Sequence, residues 1–349
     1  MKLFHTLFLP LAMMAAATFV PARSHACSRV VLLGDNELTI VGRTLDWRTP
    51  IPTDLYVYPR GMERQSMPDG PMLKWVSKYG SVLAVGYDGG VTEGMNEKGL
   101  VMNGLFCKES VYKEATGDGN MPIMSLATLV SYFLDNFATV AEARLWLDNN
   151  EFAIFGKTFD GGTATMLHWA LTDPSGMTLV MEYQNGHLDM YMSREYQVLT
   201  NDPPFADMLA INKYWQQVGG KNMLPGTVRS ADRFVRASYF VHHLPTAIDA
   251  DNGVAEVASI MSNVAVPLGY EIEGEPNLSS TQWTSIADTK NCVYHFKFAA
   301  DRDMFNIDLR RLDLYPGAPV LKLDTSKSSH FHGCVNDKLK QSQPFTPMW

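Results

Sequence analysis

The 349-residue sequence has few of the features that mark nucleic-acid-binding, disulfide-rich or modular proteins. It contains no basic run, and its formal net charge of -8 argues against a nucleic-acid partner. Its four cysteines are too few for a scaffold built on disulfides. No linker, low-complexity tract or internal repeat interrupts the chain, so we expect one large domain. An apolar content of 46% is sufficient for a full core.

The longest apolar stretch lies near the start of the chain. Residues 3–20 are almost wholly apolar and follow a short segment with one lysine. Ser24-His25-Ala26 then places small residues where signal peptidase reads them. The stretch is short and interrupted, which argues against a membrane anchor. We therefore predict a signal peptide over residues 1–26, cleavage after Ala26, and a single domain over residues 27–349 that is periplasmic and has no further contact with the membrane.

Cleavage at this point makes Cys27 the first residue of the mature chain. An N-terminal cysteine combines a thiol nucleophile with an α-amine whose reference pKa is roughly 7.7–8.0. The amine can accept the thiol proton near neutral pH, so no histidine is required. One cysteine alone is more often half of a disulfide, and the case for catalysis depends on the residues that follow. Removal of residues 1–26 by signal peptidase and autocatalytic removal both stay open.

Two strands after Cys27 are expected to form a hairpin. Residues 28–33 have the pattern of a buried strand, residues 34–37 that of a turn, and residues 38–47 that of a second strand. The hairpin returns Arg43 and Asp46 toward Cys27. A carboxylate there would hold the amine, and a guanidinium there would favour thiolate over thiol. The alternative is an ordinary surface ion pair at a strand end.

The segment Cys27-Ser28-Arg29, followed by residues 42–47 (Gly-Arg-Thr-Leu-Asp-Trp), resembles the choloylglycine hydrolase family of N-terminal-nucleophile amidases. Segments 93–100, 198–203, 224–236 and 281–288 resemble further family motifs, in the same order along the chain. The resemblance as a whole spans residues 27 to about 323. The resemblance implies an α+β fold, an αββα sandwich of two antiparallel sheets covered by helices.

The resemblance also implies a role for individual residues. Cys27 is the nucleophile with its own amine as base, Asp46 holds that amine, and Arg43 lies beside the thiol. Asn201 donates to the oxyanion, and Arg233 is the second arginine of the site. The implied reaction is hydrolysis of a small-molecule acyl amide at its linear C–N bond through an acyl-thioester, with no metal and no cofactor.

One departure from the family concerns the substrate. Bile salt hydrolases have asparagine where this chain has Phe106, whose side chain cannot donate to an oxyanion. A backbone N–H near Phe106 is therefore expected to serve instead. Trp47, Phe106 and Met95 are expected to line the site, which favours an apolar acyl or phenoxy group. For Tyr58 and Tyr87, core packing is the simpler expectation.

A second departure concerns length. The segment between Asn201 and Arg233 is shorter than in the Gram-positive gut enzymes, in which an extra loop joins four subunits. Together with the signal peptide and Trp47, it resembles the exported Gram-negative branch, whose members cleave penicillin V and, in some cases, long-chain acyl-homoserine lactones. A homotetramer is compatible with this pattern but not required by it.

Several functions therefore stay open. Penicillin V acylase activity is expected first, acyl-homoserine-lactone acylase activity is the alternative, and conjugated bile salt hydrolysis ranks third. A periplasmic binding protein on the same fold is the non-enzyme alternative. The joint presence of the five polar site residues argues against it, because a binding protein has no need of that set.

The other cysteines and the histidines point to no metal site. In an oxidising periplasm a Cys292–Cys334 disulfide would staple the C-terminal tail and leave Cys107 buried and free, but the sequence leaves this pairing open. His242-His243 and His330-Phe331-His332 lack the spacing of metal ligands and are expected to be solvated or to cap helices.

Periodicity and turn residues predict runs of strands separated by pairs of helices. The helices are expected at residues 125–135, 139–147, 230–243 and 252–264. Beyond the first hairpin, strands are expected at residues 54–59, within 74–85, as a hairpin over 91–105, and at 167–172, 177–183, 187–192, 282–288, 291–298 and 305–308. Runs of this kind, without βαβ alternation, indicate antiparallel sheets covered by helices.

Overall fold

The computed structural model describes residues 27–116, 119–156, 165–270 and 279–348. The predicted signal peptide, residues 1–26, lies outside the described residues. None of the described helices is both long and apolar enough to cross a membrane.

The described residues form twenty strands, which are numbered in chain order. They are β1 (Ser28–Leu33), β2 (Thr39–Trp47), β3 (Thr53–Tyr58), β4 (Glu63–Gln65), β5 (Lys74–Val76), β6 (Ser81–Gly86), β7 (Gly90–Asn96), β8 (Val101–Phe106), β9 (Ile123–Ser125), β10 (Ala153–Phe155), β11 (Leu167–Thr172), β12 (Thr178–Gln184), β13 (His187–Ser193), β14 (Val198–Leu199), β15 (Ser280–Asp288), β16 (Val293–Phe298), β17 (Phe305–Asp308), β18 (Leu321–Leu323), β19 (Gly333–Cys334) and β20 (Lys340–Gln341).

Two large sheets contain most of these strands. The seven-stranded sheet has the order β14-β1-β2-β15-β16-β17-β19, and the nine-stranded sheet has the order β13-β12-β11-β8-β7-β6-β3-β18-β20. Neighbours in both sheets are antiparallel, except that β17 and β19 run parallel. The pairs β4–β5 and β9–β10 form two small separate sheets.

The described residues form five α-helices, four of which cover the outer faces of the two sheets. They are α1 (Leu126–Asn136), α2 (Val140–Asn149), α3 (Phe205–Val218), α4 (Ser230–Val241) and α5 (Ala250–Val264). Helices α1 and α2 pack on the nine-stranded sheet, and α4 and α5 pack on the seven-stranded sheet. Ser125 and Thr139 cap α1 and α2 with their side-chain oxygens, which explains where both helices begin. The αββα sandwich predicted from the sequence is confirmed.

The core consists of three apolar layers. One lies between the sheets and includes Val41, Val82 and Trp283. The other two lie between each sheet and its helices. A side chain at Gly42 would enter the layer under α5, because its Cβ would lie 2.3 Å from Cγ1 of Val257. Glycine at this position therefore allows α5 to lie directly against β2.

Helix α3 corrects the sequence predictions, and the structure decides the cysteine pairing. Helix α3 was not predicted, so the described residues between β14 and β15 form three helices and not two. The Cys292–Cys334 disulfide that the sequence left open is not formed, since both thiols are free. Cys292 is buried with Sγ 3.4 Å from the carbonyl oxygen of Glu97, whereas Cys334 lies on the exposed strand β19 opposite Asn306. Cys107 is buried and free, as predicted.

The histidines at the end of α4 act as expected. His242 is the C-cap residue of α4, and its Nδ1 lies 2.7 Å from the carbonyl oxygen of Ser238, to which it donates. His243 makes the equivalent contact with Tyr239. The side chain of His330 lies outside the described part of the chain.

Candidate active site

The hairpin of β1 and β2 places Cys27 beside two charged residues. Ser28 pairs with Thr44 across the hairpin, so Cys27 lies next to the end of β2. The Cys27 Sγ atom is 3.8 Å from Nη2 of Arg43 and 3.8 Å from the carbonyl oxygen of Asp46. Only 4% of Cys27 is exposed. The structure therefore brings together the three residues that the hairpin argument predicted.

Arg43 and Asp46 extend from opposite faces of β2, because residues three positions apart on a strand point to opposite sides. Arg43 faces the nine-stranded sheet. Its Nη1 lies 3.1 Å from Oε2 of Glu93 on β7, and its Nη2 donates to the carbonyl oxygen of Gly104 on β8 at 2.8 Å. Asp46 lies on the other face, where the charge of Arg233 in α4 acts on it. Both layers of the sandwich thus contribute to the site.

The carboxyl group of Asp46 is fully buried, and burial raises its pKa to about 6. The charges of Arg233 and Arg43 and hydrogen bonds from Thr281 and Thr44 oppose this increase. Thr44 Oγ1 donates to Oδ2 at 3.5 Å. The second oxygen, Oδ1, is buried and has no hydrogen-bond partner among the described residues. Asp46 therefore has an unused acceptor inside the site.

Asn201 lies two residues after the end of β14 and joins several parts of the site. Its Oδ1 accepts from the backbone nitrogen of Cys27 at 2.5 Å and from Nη2 of Arg233 at 2.9 Å. Two donors on Oδ1 fix the orientation of the amide, so Nδ2 donates to the carbonyl oxygen of Phe106 at 2.7 Å. Arg233 Nη1 also donates to the carbonyl oxygen of Cys27 at 2.6 Å. An amide nitrogen has two hydrogens, and the contact with Phe106 uses one of them; Asn201 itself is buried and is not among the residues that line the cavity beside Cys27.

A cavity of about 130 Å³ opens onto Cys27, Arg43 and Asp46. Trp47 and Phe106 line it together, with ring centroids 5.8 Å apart. Most other lining residues are apolar or small, among them Leu45, Ile51, Tyr87, Val91, Leu126 and Leu167. Trp47 and Phe106 thus lie beside Cys27, and the cavity suits an apolar group joined to a polar reacting centre.

The prediction that Met95 lines the site is wrong. Met95 is fully buried in the apolar layer between the sheets and does not line the cavity. It lies two residues beyond Glu93 on the same face of β7, and so farther from Arg43. Tyr58 packs in the core against Phe345, as expected. Tyr87, in contrast, lines the cavity and is 37% exposed.

Glu93 is a site residue that the sequence analysis missed. It is fully buried, forms the ion pair with Arg43, and accepts hydrogen bonds from Tyr294 and Ser285. A buried carboxylate is retained in a core only when it is paired. Glu93 is the single charged residue in the strand Gly90–Asn96, and that isolation was the available signal.

A second group that was missed is formed by Cys107, His168 and Glu182. All three are buried, and their potential metal-ligand atoms lie within 4.8 Å of one another, which makes them the candidate metal group in the described part of the chain. Both ring nitrogens of His168 already face oxygen acceptors, at 2.6 Å from Glu182 and 2.7 Å from Thr200. The arrangement is therefore a hydrogen-bonded ion pair. Burial lowers the pKa of His168, but Cys107 and Glu182 together raise it to about 10.

A sandwich of two antiparallel sheets between helical layers, with a cysteine at the start of a central hairpin, defines the N-terminal-nucleophile hydrolase fold. The chain belongs to the choloylglycine hydrolase family of linear amide C–N hydrolases, whose model matches residues 27–330. It is therefore an amidohydrolase that acts on linear amides.

Individual relatives agree with this assignment. The chain is 37% identical over 355 residues to a penicillin V acylase of Pectobacterium atrosepticum, which covers 95% of this chain and 94% of the relative. It is 26% identical over 321 residues to a bile salt hydrolase/transferase of Clostridium perfringens. That alignment covers 82% of this chain and 94% of the relative.

Solved structures show the same relationship. The structure of penicillin V acylase from Agrobacterium tumefaciens matches with a TM-score of 0.85 and 42% identity, covering 92% of this chain and 99% of that chain. A mutant conjugated bile acid hydrolase from Clostridium perfringens matches with a TM-score of 0.71 and 20% identity. The match covers 93% of this chain and 99% of that chain. The second likeness shows the shared fold alone.

Proposed function

We propose that this chain is a penicillin V acylase-type hydrolase in which Cys27, freed by removal of residues 1–26, is the N-terminal nucleophile. The observation that carries the proposal is the convergence of Arg43, Asp46 and Asn201 on the thiol and backbone of Cys27. The family match begins at residue 27, which supports the same boundary. We assign the mature enzyme to the periplasm, and a homotetramer stays a prediction.

In the first step, Cys27 Sγ attacks the carbonyl carbon of the substrate amide. The guanidinium of Arg43, 3.8 Å from the sulfur, places a positive charge beside the attacking atom. The α-amine of Cys27 takes the thiol proton, as expected for an N-terminal nucleophile. The unused Oδ1 of Asp46 gives the resulting ammonium an acceptor and a counter-charge.

The oxyanion of the tetrahedral intermediate needs a donor beside the cavity. The backbone N–H of Cys107 is already used, because it donates to the carbonyl oxygen of Met166 at 2.9 Å. The remaining hydrogen on Nδ2 of Asn201 is therefore the donor that we propose. Arg233 holds Oδ1 of that amide and so keeps Nδ2 directed toward the carbonyl oxygen of Phe106, a residue that lines the cavity. Removal of one such donor typically costs about 10²–10³ in rate.

Collapse of the intermediate breaks the C–N bond. The ammonium of Cys27 gives its proton to the leaving amine, and an acyl-thioester stays on the sulfur. Water then attacks the thioester with the amine again as base, which releases the carboxylic acid and the thiol. Every proton in this cycle moves between the substrate, water and Cys27.

The cavity supports an apolar acyl group as the preferred substrate part. Trp47 and Phe106 present two aromatic faces next to Cys27, which suit the phenoxyacetyl group of penicillin V. The same walls also suit a fatty acyl chain, so an acyl-homoserine lactone is the second candidate. A conjugated bile salt ranks third, because Phe106 replaces a polar donor.

The test is the activity of Cys27→Ser, with Cys334→Ser as matched control at an exposed cysteine far from the cavity. Release of free amine would be measured from penicillin V, a long-chain acyl-homoserine lactone and glycocholate. We expect Cys27→Ser to fold and to lose nearly all turnover, and Cys334→Ser to keep wild-type turnover. Substantial activity in Cys27→Ser would show that another residue is the nucleophile.

A further inference from the structure

The ion pair of His168 on β11 and Glu182 on β12 is buried, and the proposed reaction does not use it. His168 Nδ1 lies 2.6 Å from Oε1 of Glu182, and its Nε2 lies 2.7 Å from the carbonyl oxygen of Thr200. Both partners of the ring are acceptors, so both ring nitrogens carry hydrogen and the ring is a cation. Neither His168 nor Glu182 lines the cavity. The pair can therefore affect the site only through the backbone segment that it holds in place.

That chain is the segment 200–205, which contains Asn201. His168 holds one end by donating to the carbonyl oxygen of Thr200. Glu182 holds the other end, because its Oε2 and Oε1 accept from the backbone nitrogen of Phe205 at 2.9 and 3.1 Å. Phe205 is the first residue of α3, where a carboxylate is favoured by the helix dipole. One buried ion pair thus fixes both ends of the segment.

The opposite side of the segment rests on the start of α4. Ser230 Oγ accepts from the backbone nitrogen of Asn201 at 2.8 Å and donates to Oγ1 of Thr200 at 2.9 Å. His168 and Glu182 belong to the nine-stranded sheet, whereas β14, which leads into the segment, belongs to the seven-stranded sheet. The segment is consequently held between two layers, and its position relative to Cys27 depends on both.

We propose that His168 and Glu182 are positioning residues that hold the Asn201 segment at its working distance from Cys27. This inference rests on the proposed function, in which Asn201 donates to the oxyanion. Neither residue lines the cavity, and neither takes part in the reaction at Sγ of Cys27. Its effect is on the placement of one amide, and a misplacement of about 1 Å can cost roughly a hundredfold in rate.

The test compares His168→Ala with His168→Gln. We expect His168→Ala to lower kcat about a hundredfold with little change in KM, because the cavity walls are unchanged. Glutamine carries an amide that reaches the carbonyl oxygen of Thr200, so His168→Gln should recover most of kcat. His295→Gln on β16, at a partly buried histidine that does not line the cavity, is the control and should keep wild-type kcat.

Two further measurements separate positioning from general damage. Iodoacetamide should alkylate Cys27 equally fast in wild type and His168→Ala, since Arg43 and Asp46 are untouched. Hydrogen exchange of the amides of residues 200–205 should become faster in His168→Ala and stay slow in His168→Gln. Wild-type kcat or unchanged exchange in His168→Ala contradicts the inference, as does an equal loss of alkylation and turnover.

If His168→Ala does not fold, Glu182→Gln tests the same inference. Its amide oxygen still accepts from Phe205 but no longer carries charge, so a smaller fall in kcat with unchanged KM is expected. Wild-type kcat in Glu182→Gln overturns the inference in that case. If wild type releases no amine from any of the three substrates, the proposed function fails instead. Hydrogen exchange then decides the positioning inference alone, because it does not depend on turnover.

Discussion

The carboxyl group of Asp46 is fully buried, and its raised pKa shows that burial disfavours the charged form of this group. Burial raises the pKa from 3.8 to about 6, although Arg233 and Arg43 oppose the change. The folded chain therefore binds a proton at Asp46 more tightly than the unfolded chain does. Stability from this group is fully present below pH 4 and is lost as the pH rises through 6. Above pH 6 the site thus contains a buried negative charge on Asp46 that lowers stability. In our proposal this charge holds the α-amine of Cys27.

Asp46→Asn should accordingly stabilise a chain whose N-terminal extension keeps Cys27 in a peptide bond. At pH 8 we expect a gain in the free energy of unfolding on the order of 2 kcal/mol, because the variant has no buried charge to desolvate. The gain should shrink toward zero between pH 6 and pH 4. Melting curves of both chains at pH 4, 6 and 8 measure it, and a gain that is the same at all three would contradict the assignment.

The carboxylate of Glu93 balances the positive charge of Arg43. Glu93→Gln removes the negative charge and keeps nearly the same side-chain shape, so it tests the charge apart from the packing. In Glu93→Gln the guanidinium loses its counter-ion, so we expect a loss of stability of about 3 kcal/mol. The uncompensated cation should also favour the Cys27 thiolate and speed its alkylation by iodoacetamide near neutral pH. Ser285→Ala removes only a hydrogen bond to Glu93 and serves as control. Slower alkylation in Glu93→Gln, or equal alkylation in both variants, would show that Glu93 does not act through Arg43.

Sequence reasoning located the residues that lie in one hairpin or in a family motif. Arg43 and Asp46 follow from the return of β2 toward Cys27, which short-range pairing decides. Met95 and Glu93 share one face of β7, and only the position of the opposite sheet decides which of them meets Arg43. The free state of Cys292 depends likewise on where β19 joins its sheet, which is a contact between distant parts of the chain.

The packing of α5 on β2 depends on Gly42, next to Arg43. A Cβ there would lie 2.3 Å from Val257 and 3.0 Å from Met261, both in α5. We expect Gly42→Ala to force α5 outward and to cost about 1–3 kcal/mol of stability, as overpacking usually does. Urea unfolding measures the change. Gly226→Ala is the control, because a Cβ at Gly226 meets nothing within 4 Å. Equal stability of both variants would mean that α5 tolerates the added methyl group.

Helix α3 escaped sequence analysis because it has little of the pattern that marks a packed helix. Among its fourteen residues only Phe205 and Met208 are buried, and Tyr214 is 62% exposed. It follows Pro204, which lacks the side-chain hydrogen bond of a regular N-cap. In contrast, α1 and α2 have side-chain caps at Ser125 and Thr139, and α1 has a broad apolar surface. The local signal for α3 is weak because Glu182, from another part of the chain, binds its first N–H.

The molecule as a whole follows the order of strand and helix runs in its sequence. Long strands with hairpin turns, such as β7 with β8 and β12 with β13, were predictable because their partners are adjacent in sequence. The short strands β18 and β20 were not, since they extend the nine-stranded sheet only where β3 provides an edge. The layer architecture was therefore predictable, and the way in which the C-terminal segment completes it was not.

The proposed mechanism requires Cys27 to be the first residue of the mature chain, because its free α-amine is the proposed base. The decisive measurement is the intact mass of the active, exported protein before and after iodoacetamide, with release of amine from penicillin V followed in the same samples. We predict a mass that begins at Cys27, one alkyl group on Cys27 besides the one expected on the exposed Cys334, and complete loss of hydrolysis once Cys27 is alkylated. A fully active protein that retains Ala26, or hydrolysis that persists after Cys27 is alkylated, would contradict the N-terminal nucleophile.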